Sequence, residues 1–371
     1  VTGRTSSPAA CDDCLRRTAL IASLAGRLDI EWRKRDAPGR VLALRDEELL
    51  AIGDDAVRGR FARFRAVEAR ERIATAGLVA VCRCTAAYPA ALLDLADPPA
   101  VVHVAGRLEV VGGEDAVGIV GARAATVYGR EVARELGREL AVAGVGVVSG
   151  LALGIDATAH EGALLGGAPS DGAPVAVLAG GADTPYPARG HRLHHAVRRA
   201  GAIVSEMPPG FGVHRWAFVA RNRIIAALSR VLVVVEAAER SGSLTTADFA
   251  AALGRTVAAV PGRVTAHTAS GTNGLIRDGA PLVRGAEDVL DLLAEVTGNR
   301  RSIVRTGPRS DEALQPHLRR VLERVESGGG SLAELARTPE EARTVLGALG
   351  ELEARGLVVR GFGGRYERSA R

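Results

Sequence analysis

At 371 residues the chain exceeds one ordinary domain and points to two or three. Its 47% hydrophobic and 25% charged residues suit a soluble globular protein, and an aromatic share of 3% excludes an extended aromatic platform for stacking bases. The net charge of +5 is mild for this length, but Lys34 is the only lysine, so the positive charge sits almost wholly on arginine, whose planar fork suits phosphates and base edges.

A coding bias toward Arg, Ala and Gly is the larger cause of that composition. If bases are held, backbone, arginine and isolated pockets must hold them. The first residues, Val1 to Pro8, contain no apolar leader, and no segment supplies 18 uninterrupted apolar residues. A cytoplasmic chain with no membrane span is expected.

Residues 1–10 are polar and expected to be disordered. From Cys11 to about Ala76 the apolar spacing is helical, in three stripes: Leu15, Leu20, Ile21, Leu24 and Leu28; Leu49, Leu50, Ile52 and Val57; Phe61, Phe64 and Val67. Residues 1–76 are therefore read as an N-terminal helical domain. The four cysteines fall as a CxxC pair, Cys11 and Cys14, and a CxC pair, Cys82 and Cys84. They admit a structural zinc or reduced free thiols. CxC is tighter than most zinc knuckles use, which favours free thiols, and no metal site is assigned.

Residues 78–108 read as short extended pieces around Tyr88-Pro89 and Pro98-Pro99. Strand and helix then alternate. Apolar runs of strand length are Val117–Val120, Val145–Val148, Val175–Leu178, Ile203–Val204, Val231–Val235 and Val257–Val260. Amphipathic helices between them include Arg130–Val142, Asp156–Leu165, Arg192–Ala200, Arg221–Leu228 and Thr245–Leu253. Unbroken Val/Ile/Leu runs indicate strands buried on both faces, and helical crossovers demand a parallel sheet. Residues 77–296 are thus predicted as an α/β domain, an extended Rossmann-like doubly wound sheet.

Residues 297–312 lose periodicity and read as a linker. In 313–371, Leu318, Val321, Leu322 and Val325 mark one helix, Ser331 begins a second and Pro339 a third. Leu357–Val359 and Arg365-Tyr366, joined by Gly361 to Gly364, make a hairpin. Three helices followed by a hairpin is a winged-helix plan.

In a parallel open sheet, ligands bind beyond the strand carboxyl ends. There the chain places Gly121-Ala122-Arg123 before a helix, Ser149-Gly150 running to Asp156 as the expected helix cap, and Gly180-Gly181. Further on come Ser205-Glu206 and then Glu236 with Ser241-Gly242-Ser243. Small residues and helix starts suit oxygen anions, and several such loops in a row suit a nucleotide or a strand of them. A GxGxxG fingerprint is missing, Ser149 replaces the expected ribose-binding acid, and no lysine can serve a Walker A loop. A nicotinamide enzyme and a P-loop nucleotidase are poorly supported, and no cofactor is assigned.

Asp156 and His160, four apart, could pair, but a helix cap and a structural histidine explain them better. His191, His194 and His195 read as a solvated or DNA-facing surface. Glu206 and Glu236 could act as acid or base, yet no set of nucleophile, base and orienting group is apparent. Arg221-Asn222-Arg223, read as a helix start held by Ile224-Ile225, is equipped for phosphate and base-edge contacts. Removing Arg123, or Arg221 and Arg223 together, is expected to weaken strand binding without unfolding the domain.

Read together, these loops resemble the DprA (Smf) family. The match runs through Tyr88-Pro89, Pro98-Pro99, Gly118 to Arg123, Tyr128-Gly129, Ser149 to Asp156 and Ala159-His160. It continues through Tyr186-Pro187, Ser205-Glu206, Arg221 to Ile225, Glu236, Ser241 to Thr246, Pro261-Gly262 and Gly271 to Ile276, over about residues 85–295. The resemblance implies a non-enzymatic protein that binds and protects single-stranded DNA, loads RecA recombinase in natural transformation and recombination, and dimerises. It implies that Gly121 and Arg123 hold phosphate and that Arg221, Asn222 and Arg223 line the strand's path. Two departures stand out: Ala122 where the family has a hydroxyl, and Val219-Ala220 after Phe218 where the family commonly has Phe-Pro.

The competing reading is a nucleotide-binding or nucleotide-hydrolysing enzyme of the lysine-decarboxylase-like Rossmann group; the absence of a glutamate from Ser241 to Asp248 counts against it. A third is a DNA-binding regulator acting through the winged helix. Its candidate recognition helix carries Glu340, Glu341 and Glu351 against Arg343, which would repel phosphates.

Overall fold

The computed structural model describes residues 9–34, 42–167, 172–302, 314–327, 330–336, 338–354, 357–361 and 365–368. Most of the predicted N-terminal tail, residues 303–312 of the predicted linker, residues 362–364 of the predicted turn and the side chain of Lys34 lie outside the described residues. The chain divides into two compact units, at residues 303 and 304.

The first unit begins with helices α1 (Asp12–Ser23), α2 (Ala25–Lys34), α3 (Asp46–Ile52), α4 (Asp55–Ala62) and α5 (Ala66–Thr75). The predicted stripes place Leu20, Leu24, Leu28, Leu49 and Val57 in one core, whereas Val67 is exposed. That core also takes in Met207, Trp216, Ala217 and Ala220, so the N-terminal helices bury their apolar faces against the α/β part. Ala10, expected in the tail, is buried, and its N–H donates to the Ala80 carbonyl at 3.2 Å.

Strands β1 (Val79–Cys82), β2 (Val101–Gly106) and β3 (Ala116–Val120) precede α6 (Val127–Val142), β4 (Gly146–Ser149), α7 (Ile155–Leu165) and β5 (Val175–Val177). Then follow α8 (His191–Ala200), β6 (Ala202–Ser205), α9 (Arg215–Leu228), β7 (Val231–Val234), α10 (Gly242–Ala252), β8 (Thr256–Ala259), α11 (Ser270–Arg277) and α12 (Ala286–Thr297). The eight strands form one sheet in the order β1-β2-β6-β5-β4-β3-β7-β8. Six pair in parallel from β6 to β8, as predicted, and β1 and β2 extend the β6 side antiparallel. Alternate residues feed opposite cores: Val117, Ile119, Val231 and Val233 pack under α6, α7 and α12, while Val120, Leu232 and Val234 pack under α9 and α10. The order reverses between β3 and its neighbours β4 and β7, which opens the crevice where doubly wound sheets bind ligands.

The second unit holds α13 (Pro316–Glu326), α14 (Leu332–Leu335), α15 (Pro339–Ala354) and the antiparallel strands β9 (Val358–Arg360) and β10 (Tyr366–Arg368). Ser331 caps α14 and Glu334 returns the bond to the Ser331 N–H, a capping box. Leu318, Leu322, Leu349, Leu352 and Val358 fill its core.

Candidate nucleic-acid interface

The loop after β3 is tied down by the chain itself. Glu236, at the end of β7, accepts hydrogen bonds from the Thr126 N–H at 2.9 Å and the Thr126 hydroxyl at 3.0 Å. Thr126 in turn caps α6, accepting from the Gly129 N–H. The helix N-terminus that sequence reading offered to a phosphate thus already holds a carboxylate. Ala122 donates its N–H to the Glu236 carbonyl at 2.7 Å and accepts from the Ile155 N–H at 3.2 Å. A Cβ on Gly121 would meet Ile155 and the Glu236 carbonyl at 2.6 and 2.9 Å, so this glycine serves close packing. Of this loop, Arg123 alone among the predicted site residues reaches out, exposed and free of ion pairs among the described residues.

The loop after β4 is also internally satisfied. Ser149 is fully buried and its hydroxyl donates to the Ile119 carbonyl at 2.6 Å. Asp156, expected to cap α7, lies inside the helix, and Gly154 is the cap residue. The Asp156 carboxylate instead accepts from the Gly150 N–H at 3.1 Å, shaping the turn in which Gly154 takes a φ of 82°. No hydrogen bond joins Asp156 to His160 among the described residues. His160 is wholly buried, neither ring nitrogen is within hydrogen-bonding geometry of a partner among the described residues, and burial drives its pKa down to about 4.

Arg221, Asn222 and Arg223 do not begin a helix. They lie where the second turn of α9, which starts at Arg215, passes into the third, and successive positions about 100° apart aim three ways. Arg221, 5% exposed, donates to the Gly150 carbonyl at 2.6 Å and to the Val177 carbonyl. Burial pulls its pKa down to about 10, so it stays cationic at neutral pH. Asn222 turns to the start of α10, donating to the Gly242 carbonyl at 3.2 Å. Arg223, 2% exposed, donates to Asp97 at 3.0 Å and Glu206 at 2.8 Å. Burial raises both carboxyls, and their negative charges outweigh burial at Arg223, raising the guanidinium pKa. Arg223 is thus held inside the fold rather than along an open path.

What remains open is a cleft of about 160 Å³ beyond β4 and β5. Arg123, Arg189 and Arg221 line it with Tyr186, Phe218 and the backbone at Gly150 and Gly180; no carboxylate lines it among the described residues. The Arg123 guanidinium lies 4.7 Å above the Phe218 ring, and the Phe218 and Tyr186 rings are 5.7 Å apart. Gly181 stands behind, donating its N–H to the Phe211 carbonyl at 3.0 Å. Ser241, Gly242 and Ser243 are outside the cleft, where Ser241 caps α10. Of the histidine cluster, His191 and His195 are exposed, but His194 is buried against the Ala182 carbonyl at 3.1 Å. Sequence reasoning assigned no role in the site to Phe218, Tyr186 or Arg189. The available signal was the rarity of aromatics: two of ten Tyr and Phe residues meet here.

A second crevice, of about 520 Å³, is lined by Tyr128, Glu236, Arg263 and Thr272 among others. One Glu236 oxygen there has no hydrogen-bond partner among the described residues.

A sequence profile described as DNA recombination-mediator protein A matches residues 80–294. The chain belongs to this family, that of the DprA and Smf proteins. A candidate DNA processing protein DprA of Mycobacterium tuberculosis is 43% identical over 247 residues, which is 65% of this chain and 61% of that relative's length. The structure of DprA from Streptococcus pneumoniae superposes with a TM-score of 0.61 at 29% identity, covering 75% of this chain and 95% of that one. DprA from Helicobacter pylori, whose structure is described for its single-stranded DNA binding mode, gives a TM-score of 0.53 at 29% identity, covering 59% and 96%. The family resemblance and the mixed α/β fold of the sequence analysis are therefore established. No helix among the described residues is long and apolar enough to cross a membrane.

Proposed function

We propose that this chain binds single-stranded DNA in the cleft between Arg123, Phe218 and Arg221. The observation that carries the reading is the cleft's composition: three guanidiniums and two aromatic rings with no carboxylate lining it among the described residues. Rings and arginine planes stack on any base, and guanidiniums neutralise the backbone, which is the combination single strands require. Its volume of about 160 Å³ suits a splayed base rather than a duplex. Following the family, the chain protects strands in the cytoplasm and loads RecA recombinase in transformation and recombination, working as a homodimer with a winged-helix domain at its C-terminal end.

The test is fluorescence anisotropy with labelled oligothymidine, a duplex of equal length and a salt titration. Tight, salt-sensitive preference for the single strand supports the reading, and a RecA-loading assay and light scattering then address partner and dimer. Absence of any preference sinks it and favours the enzyme reading. That reading would seat a nucleotide in the 520 Å³ crevice against the uncommitted oxygen of Glu236.

A further inference from the structure

Four sulfurs converge well away from the sequence positions that build the cleft. Cys11 caps α1, Cys14 lies in its first turn, Cys82 ends β1 and Cys84 follows in a turn closed by the Thr85 N–H donating to the Cys82 carbonyl at 2.9 Å. All four Sγ atoms lie within 4.8 Å of one another. Cys14 Sγ is 3.7 Å from Cys84 Sγ, and Cys11 Sγ is 3.8 Å from Cys82 Sγ. None is in a disulfide.

These separations have a specific meaning. A disulfide needs sulfurs about 2.05 Å apart. Four thiolates around one tetrahedral ion, each about 2.3 Å from it, stand roughly 3.8 Å from each other. The closest observed pairs lie at the second value. The Cys11 N–H also donates to Cys82 Sγ at 3.4 Å, the kind of bond that orients and steadies a ligand sulfur. The short CxC spacing, which favoured free thiols in the sequence, is accommodated because Cys84 sits in a turn. The chain folds back there instead of running on as a strand.

We propose that Cys11, Cys14, Cys82 and Cys84 hold one zinc ion. Four thiols lose four protons on binding and give a closed tetrathiolate with no position left for water or substrate, so the site is structural. Soft sulfur donors without carboxylate or imidazole select zinc over magnesium, calcium or manganese. The ion pins the start of α1 to β1, an edge strand of the sheet, beside the bond from Ala10 to Ala80. It closes the N-terminal helices onto the fold and covers an edge that would otherwise invite pairing.

The test is elemental analysis of the full chain purified under reducing conditions, followed by exchange into cobalt. One zinc per chain, and intense thiolate-to-cobalt charge transfer with tetrahedral d–d bands, are expected. Chelator should lower the melting temperature of the native chain, whereas Cys84→Ser, at the most exposed ligand, should lose most of its zinc and its response to chelator. A folded chain with four freely reactive thiols and no cobalt bands overturns the proposal. So does iron in place of zinc, or full zinc retention by Cys84→Ser. If Cys84→Ser does not fold, the cobalt spectrum of the native chain decides alone.

Discussion

Arg123 and Arg223 carry the same charge, yet removing them should do opposite things. Arg223 neutralises Asp97 and Glu206 out of reach of water. Arg223→Ala leaves two buried carboxylates without a cation, and stability should fall by about 3–5 kcal/mol in urea unfolding. DNA affinity of the folded fraction should stay within twofold. Arg123→Ala on the exposed loop should leave stability within about 0.5 kcal/mol. It should weaken oligothymidine binding on the order of tenfold and flatten the salt dependence by about 0.7 in slope, as expected for one lost phosphate contact. The earlier expectation that Arg221 and Arg223 together could be removed without unfolding is revised on this geometry. Residue type was legible in the sequence. Direction was not, because it depends on where along α9 the run falls.

Helices α6 and α7 cross so closely that their backbones nearly touch. A Cβ on Gly137 would strike the Ala159 carbonyl, and one on Gly162 the Arg134 carbonyl. In an open helix, Gly→Ala gains up to about 1 kcal/mol. Gly274 in α11, with nothing within 4 Å of the added atom, should show that gain. Gly162→Ala should instead cost about 1–3 kcal/mol, because rigid backbone must move. Thermal melting of the two variants checks both signs. Elements of this kind were readable where the causes are local: the Val and Ile runs gave all six parallel strands. The start of α9 was misplaced by six residues because its first turn is fixed from far away. The Trp216 N–H donates at 3.0 Å to Asp29, which lies 187 positions earlier. The antiparallel pair β1 and β2 reads in the sequence only as extended pieces, since strands of four and six residues separated by a Pro-rich stretch carry little periodic signal.

Across the molecule, two histidines sealed in the first unit set a response to acid. Burial holds His103 and His160 near a pKa of about 4, against an ordinary 6.5. Between those values the unfolded chain binds more protons than the folded one, so stability is full above pH 6.5 and lost as pH falls toward 4. By pH 5 each histidine should cost about 2 kcal/mol. Asp97, Asp156 and Glu206, raised by burial, act in the opposite sense, giving stability back as they take up protons. His160→Leu isolates one term: its loss between pH 7.5 and 5 in urea should be about 2 kcal/mol smaller than that of the native chain. The core shared by Leu24, Leu28, Trp216 and Ala220 also couples residues of the N-terminal helices to α9.

Glu236 gives the fold a built-in occupant. Its carboxylate sits on the end of α6 at the effective concentration of a tethered group, a competitor that never diffuses away. A free phosphate or mononucleotide entering there must evict a side chain already hydrogen-bonded and screened from water. A cell's abundant small anions therefore meet a filled seat, while the cleft one strand over stays open. The loop that carries Arg123 is held in shape before any ligand arrives, so little ordering remains to be done when one does.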